Sequence, residues 1–194
     1  MSENHSHQHF ILHKPYGYLS QLVVNGKQKK RNKLLGELYD FPEGIMAIGR
    51  LDRDSEGLLL LTTDGKVSYE VLGKKYEKEY YVQVDGIITQ ETIEKLKKGV
   101  EIGFEGKKYI TKPCKASLIE VPTNLPLENR HVRNERHGPT SWASITLTEG
   151  KYRQVRKMTA AVGFPTLRLI RVRIGNIHLD ISSGDVVEVD NFNE

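Results

Sequence analysis

Gly49-Arg50-Leu51-Asp52-Arg53-Asp54-Ser55-Glu56-Gly57-Leu58-Leu59-Leu60-Leu61-Thr62-Thr63-Asp64-Gly65 is the stretch on which the reading of this chain turns. Apolar runs on either side predict strands over 45–49 and 57–62. Gly49 breaks the first strand, and a Thr-Asp-Gly turn closes the second. Between them stand Arg50, Asp52, Arg53, Asp54 and Glu56. A soluble protein gains no folding stability from placing such charges between buried strands, so they point to binding or chemistry at the end of a sheet. An isolated Arg-x-Asp in a loop is most often a turn or a surface ion pair worth little. The loop therefore needs corroboration from the rest of the chain.

Outward from this segment the pattern is continuous, with no internal repeat and no low-complexity linker. A short strand at Phe10 to Leu12 leads into a Lys14-Pro15-Tyr16-Gly17 turn, and residues 33–38 suggest a short helix. Lys66 to Leu72 reads as a helix and Glu79 to Val84 as a strand. Thr89 is placed as the N-cap of a helix over 90–98. A hairpin turns at Glu105-Gly106, and further strands fall at 115–121, 142–148, 166–174 and 185–189. A polar loop spans 122–140, and a helix runs from 153 to 162. Several strands are joined by tight turns, which predicts an α+β fold: a mixed, largely antiparallel central sheet with flanking helices, in two closely joined subdomains. Residues 1–9 are expected to be a disordered tail and residues 10–190 the working domain.

Composition excludes several classes. The chain has 194 residues, 28% charged and 38% hydrophobic, which suits a globular domain. Its longest wholly apolar run, Leu58 to Leu61, is far too short to span a membrane, and the polar N-terminus lacks the apolar region of a signal peptide. A lone cysteine, Cys114, gives neither a disulfide framework nor a cysteine metal site. No metal site is expected, and a cytoplasmic location is the default.

The net charge of +4 conceals a segregation. Residues 27–33 hold Lys27, Lys29, Lys30, Arg31 and Lys33 with no acid. Residues 151–173 hold Lys151, Arg153, Arg156, Lys157, Arg168, Arg171 and Arg173, again with no acid. The remaining chain carries 17 basic residues against 25 acidic ones. Local positive charge of this kind suits a polyanion. On a helix, Val155, Met158, Thr159 and Val162 would face the core while Arg153, Arg156 and Lys157 share the other stripe. Cations in a first helical turn oppose the helix dipole, so they call for an anion to meet.

Three segments now align. Gly49 to Gly65 closely resembles the second motif of the pseudouridine synthases, in the branch that modifies ribosomal RNA. Glu149-Gly150-Lys151-Tyr152-Arg153-Gln154-Val155-Arg156-Lys157-Met158 resembles that family's Gln-Val-Arg motif, and Lys78-Glu79-Tyr80 its Lys-x-Tyr at the start of a strand. Lys14-Pro15-Tyr16-Gly17 with Leu19-Ser20-Gln21 adds a fourth match, and Leu167-Arg168-Leu169-Ile170-Arg171 with Ile174-Gly175 extends the likeness to nearly the whole chain. His13 and Thr63 stand where Asn is common, outside the catalytic set.

The resemblance implies an RNA-modifying isomerase with Asp52 as the catalytic carboxylate, Arg156 as its basic partner, and Tyr80 stacked on the target base. Arg50 would fill the space left by a flipped uridine. The carboxylate either adds to C1′ or assists a glycal path. No redox step or phosphate energy is needed, so no cofactor is implied. The N-terminal S4 RNA-binding domain of many relatives is expected to be missing, so RNA would be held by Lys14, Lys27, Lys29, Lys30, Arg31, Arg130, Arg133, Arg136, Arg153 and Lys157. The expected partner is ribosomal RNA, 23S from the Pro-Thr-Ser-Trp stretch at 139–142 and Arg-Gln-Val-Arg at 153–156, bound by a monomer. Two other classes compete. A non-catalytic RNA-binding ribosome-assembly factor would place Asp52 as an unfavourable charge facing RNA. A carboxylate-dependent hydrolase would need a second acid, Asp54 or Glu56, across a bond, and leaves the basic strips without a role.

Overall fold

The computed structural model describes residues 7–23, 32–73, 76–123, 125, 130–133 and 135–192. In chain order the strands are β1 (His9–Lys14), β2 (Tyr18–Leu19), β3 (Lys33–Leu34), β4 (Met46–Ile48) and β5 (Glu56–Thr62), followed by helix α1 (Gly65–Leu72) and β6 (Lys78–Asp85). Helix α2 (Gln90–Lys98), β7 (Glu101–Phe104), β8 (Lys107–Ile110), β9 (Lys115–Ile119) and β10 (Thr140–Leu147) come next. Helix α3 (Gln154–Ala161), β11 (Thr166–Ile174), β12 (Ile177–His178) and β13 (Val186–Val189) complete the chain. Single 3-10 turns form at Leu35–Glu37, where a longer helix was expected, and at Glu135–His137. Lys27, Lys29, Lys30 and Arg31 lie outside the described residues.

The central sheet has the order β13-β1-β5-β11-β6-β10-β9, with β4 added to β5 and β12 to β11. All its pairings are antiparallel except β5 with β11, which meet in parallel through Ile170–Glu56 and Arg171–Gly57. That short parallel seam joins two antiparallel halves. The mixed, largely antiparallel α+β architecture read from the sequence is the one observed.

β5 is buried along its whole length, which explains its unbroken leucines. Leu58 and Leu60 enter one apolar cluster with Ile170 and Val172, whereas Leu59 and Leu61 enter another with Phe10 and Leu12. Each fully buried leucine contributes about 1.5–3 kcal/mol. A third cluster packs α2 and α3 against β6 and β10 through Ile93, Leu96, Val155, Met158, Val82 and Ile145. At the seam Gly57 adopts φ +107°, and an added Cβ would lie 2.3 Å from the Arg171 carbonyl oxygen, so only glycine lets β11 approach.

Local signals set the ends of elements. Asp64 caps α1 by accepting from the Lys66 amide at 2.8 Å, and Thr89 caps α2 through the Thr92 amide. Glu105 and Gly106 both take positive φ in the β7–β8 hairpin, as a two-residue turn with right-handed strand twist requires. One boundary moves: His9, assigned to the tail, is the first residue of β1, buried, with Nδ1 2.8 Å from Thr62 Oγ1. Among the described residues no helix is long and apolar enough to cross a membrane, and no cluster of three or more His, Cys, Asp or Glu has metal-binding geometry.

Candidate active site

The charged loop from Gly49 to Glu56 closes over the seam, and the first motif holds it in place. Ser20 Oγ donates to the Leu51 carbonyl at 2.8 Å and accepts from the Leu51 amide at 2.9 Å, which fixes the residue before Asp52. The Gly17 amide donates to the Arg53 carbonyl at 2.8 Å, and the Ser55 amide to the Asp52 carbonyl at 3.0 Å. Ser20, matched above only as part of the fourth motif, thus holds the loop that carries Asp52.

Asp52 is part-exposed at the mouth of a cavity of about 80 Å³ that Arg50, Tyr80, Val155 and Leu169 also line. The sequence reading brought Asp52, Tyr80 and Arg50 together, and they do meet here. Arg50 is exposed at the rim. Tyr80 is half-buried on β6, packed against the cluster beneath α3.

The basic partner of Asp52 is not Arg156. Arg153 Nη1 donates to Asp52 Oδ2 at 3.1 Å and to Asp54 Oδ1 at 3.0 Å, and Arg153 Nη2 donates to Asp54 Oδ2 at 3.0 Å. Arg156 Nη2 instead donates to the Asp54 carbonyl at 2.8 Å and to Ser55 Oγ at 3.2 Å, so it braces the loop from behind. The helical pattern misled because α3 starts at Gln154; Arg153 precedes it in the left-handed region, φ 52° and ψ 34°. That conformation costs a non-glycine residue about 1 kcal/mol or more and turns the guanidinium back over the loop. The anion that these cations were expected to meet is thus within the protein. Burial raises the Asp54 pKa, but the Arg153 hydrogen bonds and the nearby Arg156 and Arg153 charges outweigh it, so Asp54 sits below the usual carboxylate range. With both oxygens engaged, Asp54 is poorly placed as the second acid of a hydrolase.

Glu56 has a different role. It is buried with Arg168, which donates through Nε at 2.9 Å and Nη2 at 2.7 Å. Gln154, also buried, accepts from the Lys151 amide at 2.9 Å and donates to Glu149 at 2.7 Å, which ties the chain before α3 to the site.

Several of the residues expected to hold RNA are engaged within the protein. Lys14 is fully buried and donates to the Pro15 and Tyr18 carbonyls at 2.9 and 2.7 Å, so it meets no solvent-borne phosphate in this form. Burial lowers its pKa from 10.5 to about 8, against the pull of Glu56, Asp54 and Asp52. Arg133 pairs with Asp85 at 2.8 Å and donates to the Gly138 and Pro139 carbonyls, shaping its own loop. Arg130 stacks over the Tyr16 ring at 4.0 Å and lies 3.6 Å from Glu56. Lys157 donates to the Gly103 carbonyl at 2.8 Å and is half-buried. Arg136 is exposed. Of the basic stretch 151–173, Arg168 and Arg173 are also spent on internal acids, Arg173 on Glu79 at 2.9 Å and Glu77 at 3.2 Å.

Residues 8–161 match the family model described as RNA pseudouridylate synthase. The chain belongs to that family. It is 43% identical over 184 residues to ribosomal large subunit pseudouridine synthase E of Vibrio parahaemolyticus, covering 92% of this chain and 72% of that protein. It is 41% identical over 172 residues to the protein of the same name in Xanthomonas axonopodis pv. citri, covering 88% and 87%. A solved crystal structure of a pseudouridylate synthase superposes with a TM-score of 0.72 at 28% identity, covering 94% of this chain and 70% of that one. As an RNA pseudouridine synthase, the chain is an enzyme, and the cavity between Asp52 and Tyr80 is the candidate for its reaction centre.

Proposed function

We propose that Asp52 is the carboxylate through which this RNA pseudouridine synthase isomerises a uridine of ribosomal RNA, and that the RNA is that of the large subunit, 23S. One observation carries the assignment: Asp52 is the carboxylate of the loop that faces a cavity together with an aromatic wall, Tyr80, and a charged clamp, Arg153. A uridine flipped from its stack would lie against Tyr80, and Arg50 at the rim would take its place. Arg153 holds one oxygen of Asp52, which orients the other toward the sugar. The N1–C1′ bond breaks, the freed uracil turns, C5 bonds to C1′, and the C5 proton leaves. The names of the Vibrio and Xanthomonas relatives support the large-subunit target. A monomer acting in the cytoplasm, with no cofactor, completes the reading.

The decisive assay is tritium release from [5-³H]uridine-labelled large-subunit ribosomal RNA. The parent should release tritium in step with pseudouridine formation, and a folded Asp52→Asn variant should release none. Release by that variant at the parental rate would remove Asp52 from the chemistry.

A further inference from the structure

Tyr80 and Arg50 also line a second, larger cavity, of about 450 Å³, to which Asp52 does not contribute. Its walls hold five basic residues, Arg50, Lys78, Lys112, Lys151 and Arg171, against one acid, Glu149. That acid is already engaged, by the Tyr109 hydroxyl at 2.6 Å, the Lys112 amide at 2.8 Å and Gln154 at 2.7 Å.

Two of the cations are left over in an unusual way. Arg171 is 3% exposed, donates through Nε to the Leu58 carbonyl at 2.8 Å, and has a buried Nη2 without a hydrogen-bond partner. Lys78 makes one long contact, 3.5 Å to the Tyr76 carbonyl, and no carboxylate lies within ion-pair distance of it among the described residues. Burial, and then the charge of Arg171, lower the Lys78 pKa. On the sheet Arg171 stands directly across from Tyr80, and Lys78 across from Ile174. Two cations pressed together with an orphaned donor are costly unless an anion completes them. Uracil offers only neutral acceptors before its bond breaks, and the carboxylate that breaks the bond lies outside this cavity. The part of an RNA strand that is anionic and does not react is its backbone.

We propose that Lys78 and Arg171 seat a phosphodiester of the RNA strand next to the flipped uridine, in the cavity that adjoins the Asp52 cavity at Tyr80 and Arg50. This rests on the reading of Asp52 and Tyr80 as the base pocket. The phosphate would accept charge-assisted hydrogen bonds from Arg171 Nη2 and Lys78 Nζ, while Lys151 and Arg50 at the rim shield it. Backbone capture at this point fixes which nucleotide can enter the pocket without reading its sequence.

The test uses a single-stranded RNA heptamer with one central uridine among adenosines. Affinity is measured against salt concentration for the parent, Lys78→Met and Lys78→Arg. Loss of one single-strand phosphate contact should flatten the log–log salt slope by about 0.7 in Lys78→Met, with Lys78→Arg close to the parent. Neutral methylphosphonate placed at one linkage at a time then locates the contact. One linkage beside the uridine should weaken binding to the parent but not further weaken binding to Lys78→Met. An unchanged slope in a Lys78→Met protein with native circular dichroism overturns the seat, as does equal loss at every linkage in both proteins. Lys78→Gln serves the same comparison if the methionine variant does not fold. Failure of tritium release would instead strike at Asp52, and the two failures are read separately.

Discussion

Glu56–Arg168 and Asp52–Arg153 are drawn from the same loop and the same basic stretch, yet their surroundings differ. The first pair is sealed at the seam, with side chains 2% and 8% exposed. The second is at the cavity mouth, 27% and 33% exposed, and shares its arginine with Asp54. A charge pair closed off from water keeps its partners in place, and removing either leaves the other stranded. A pair at a cavity mouth can exchange one contact for a substrate. Burial, more than residue type, divides structural from chemical charge in this loop.

That division can be broken experimentally, beginning with the largest effect. Asp52→Asn should lower turnover by on the order of 10⁴-fold or more, as loss of a catalytic residue does in other enzymes. Its unfolding free energy should change by less than about 1 kcal/mol, as for an exposed ion pair. Glu56→Ala should show the reverse weighting, losing about 3–5 kcal/mol of stability in urea unfolding through the stranded Arg168. If Glu56→Ala unfolds like the parent, the sealed pair is not what holds the seam.

Arg153→Leu should reduce kcat by roughly 10²-fold, the scale of one preorganised donor, with Arg153→Lys recovering part because charge returns without the fork. Arg156→Leu should act through the loop, lowering stability and kcat together. Should Arg156→Leu alone abolish turnover while Arg153→Leu is mild, the partner of Asp52 would have to be reassigned. Lys14 sets a pH dependence instead. Its folded pKa is about 8 and its ordinary value 10.5. Below pH 8 both states carry the proton, and burying that charge costs stability. Between pH 8 and 10.5 the folded protein has released a proton that the unfolded chain still holds, so stability rises with pH. Urea unfolding of the parent should therefore gain on Lys14→Met across that interval; a flat difference would place the proton elsewhere.

Much of this was legible from the residues. The strand pattern around Asp52, the Thr89 cap and the Glu105-Gly106 hairpin are local, and local physics sets them. That Asp52, Tyr80 and Arg50 share one cavity followed from motifs. The partnerships did not, because they join residues far apart in sequence. Arg168 finds Glu56 112 residues away, and Arg153 finds Asp52 101 residues away. Counting charge along 151–173 therefore overstated what is offered to RNA. Lys14 was misjudged for a related reason: a lysine beside a turn normally reaches water, and only the closing of β1, β5 and the loop over it shows otherwise. The exchange between Arg153 and Arg156 turned on one left-handed residue, which a helical wheel cannot register.

The parallel seam also governs when the enzyme can exist during synthesis. β1 and β4 precede β5 and pair with it early, but its parallel partner β11 is made more than a hundred residues later. Until then Glu56 and Gly57, at the head of β5 and next to the charged loop, lack the strand that seals them. Arg153, Arg168 and Arg171 arrive on that same late segment. A nascent chain short of residue 153 thus carries Asp52 and Tyr80 but neither Arg153, which holds the carboxylate, nor Val155 and Leu169, which line the cavity. Long-range closure of this kind is slow relative to local folding, so ribosome-bound chains should be inert toward RNA until the last third of the protein has emerged.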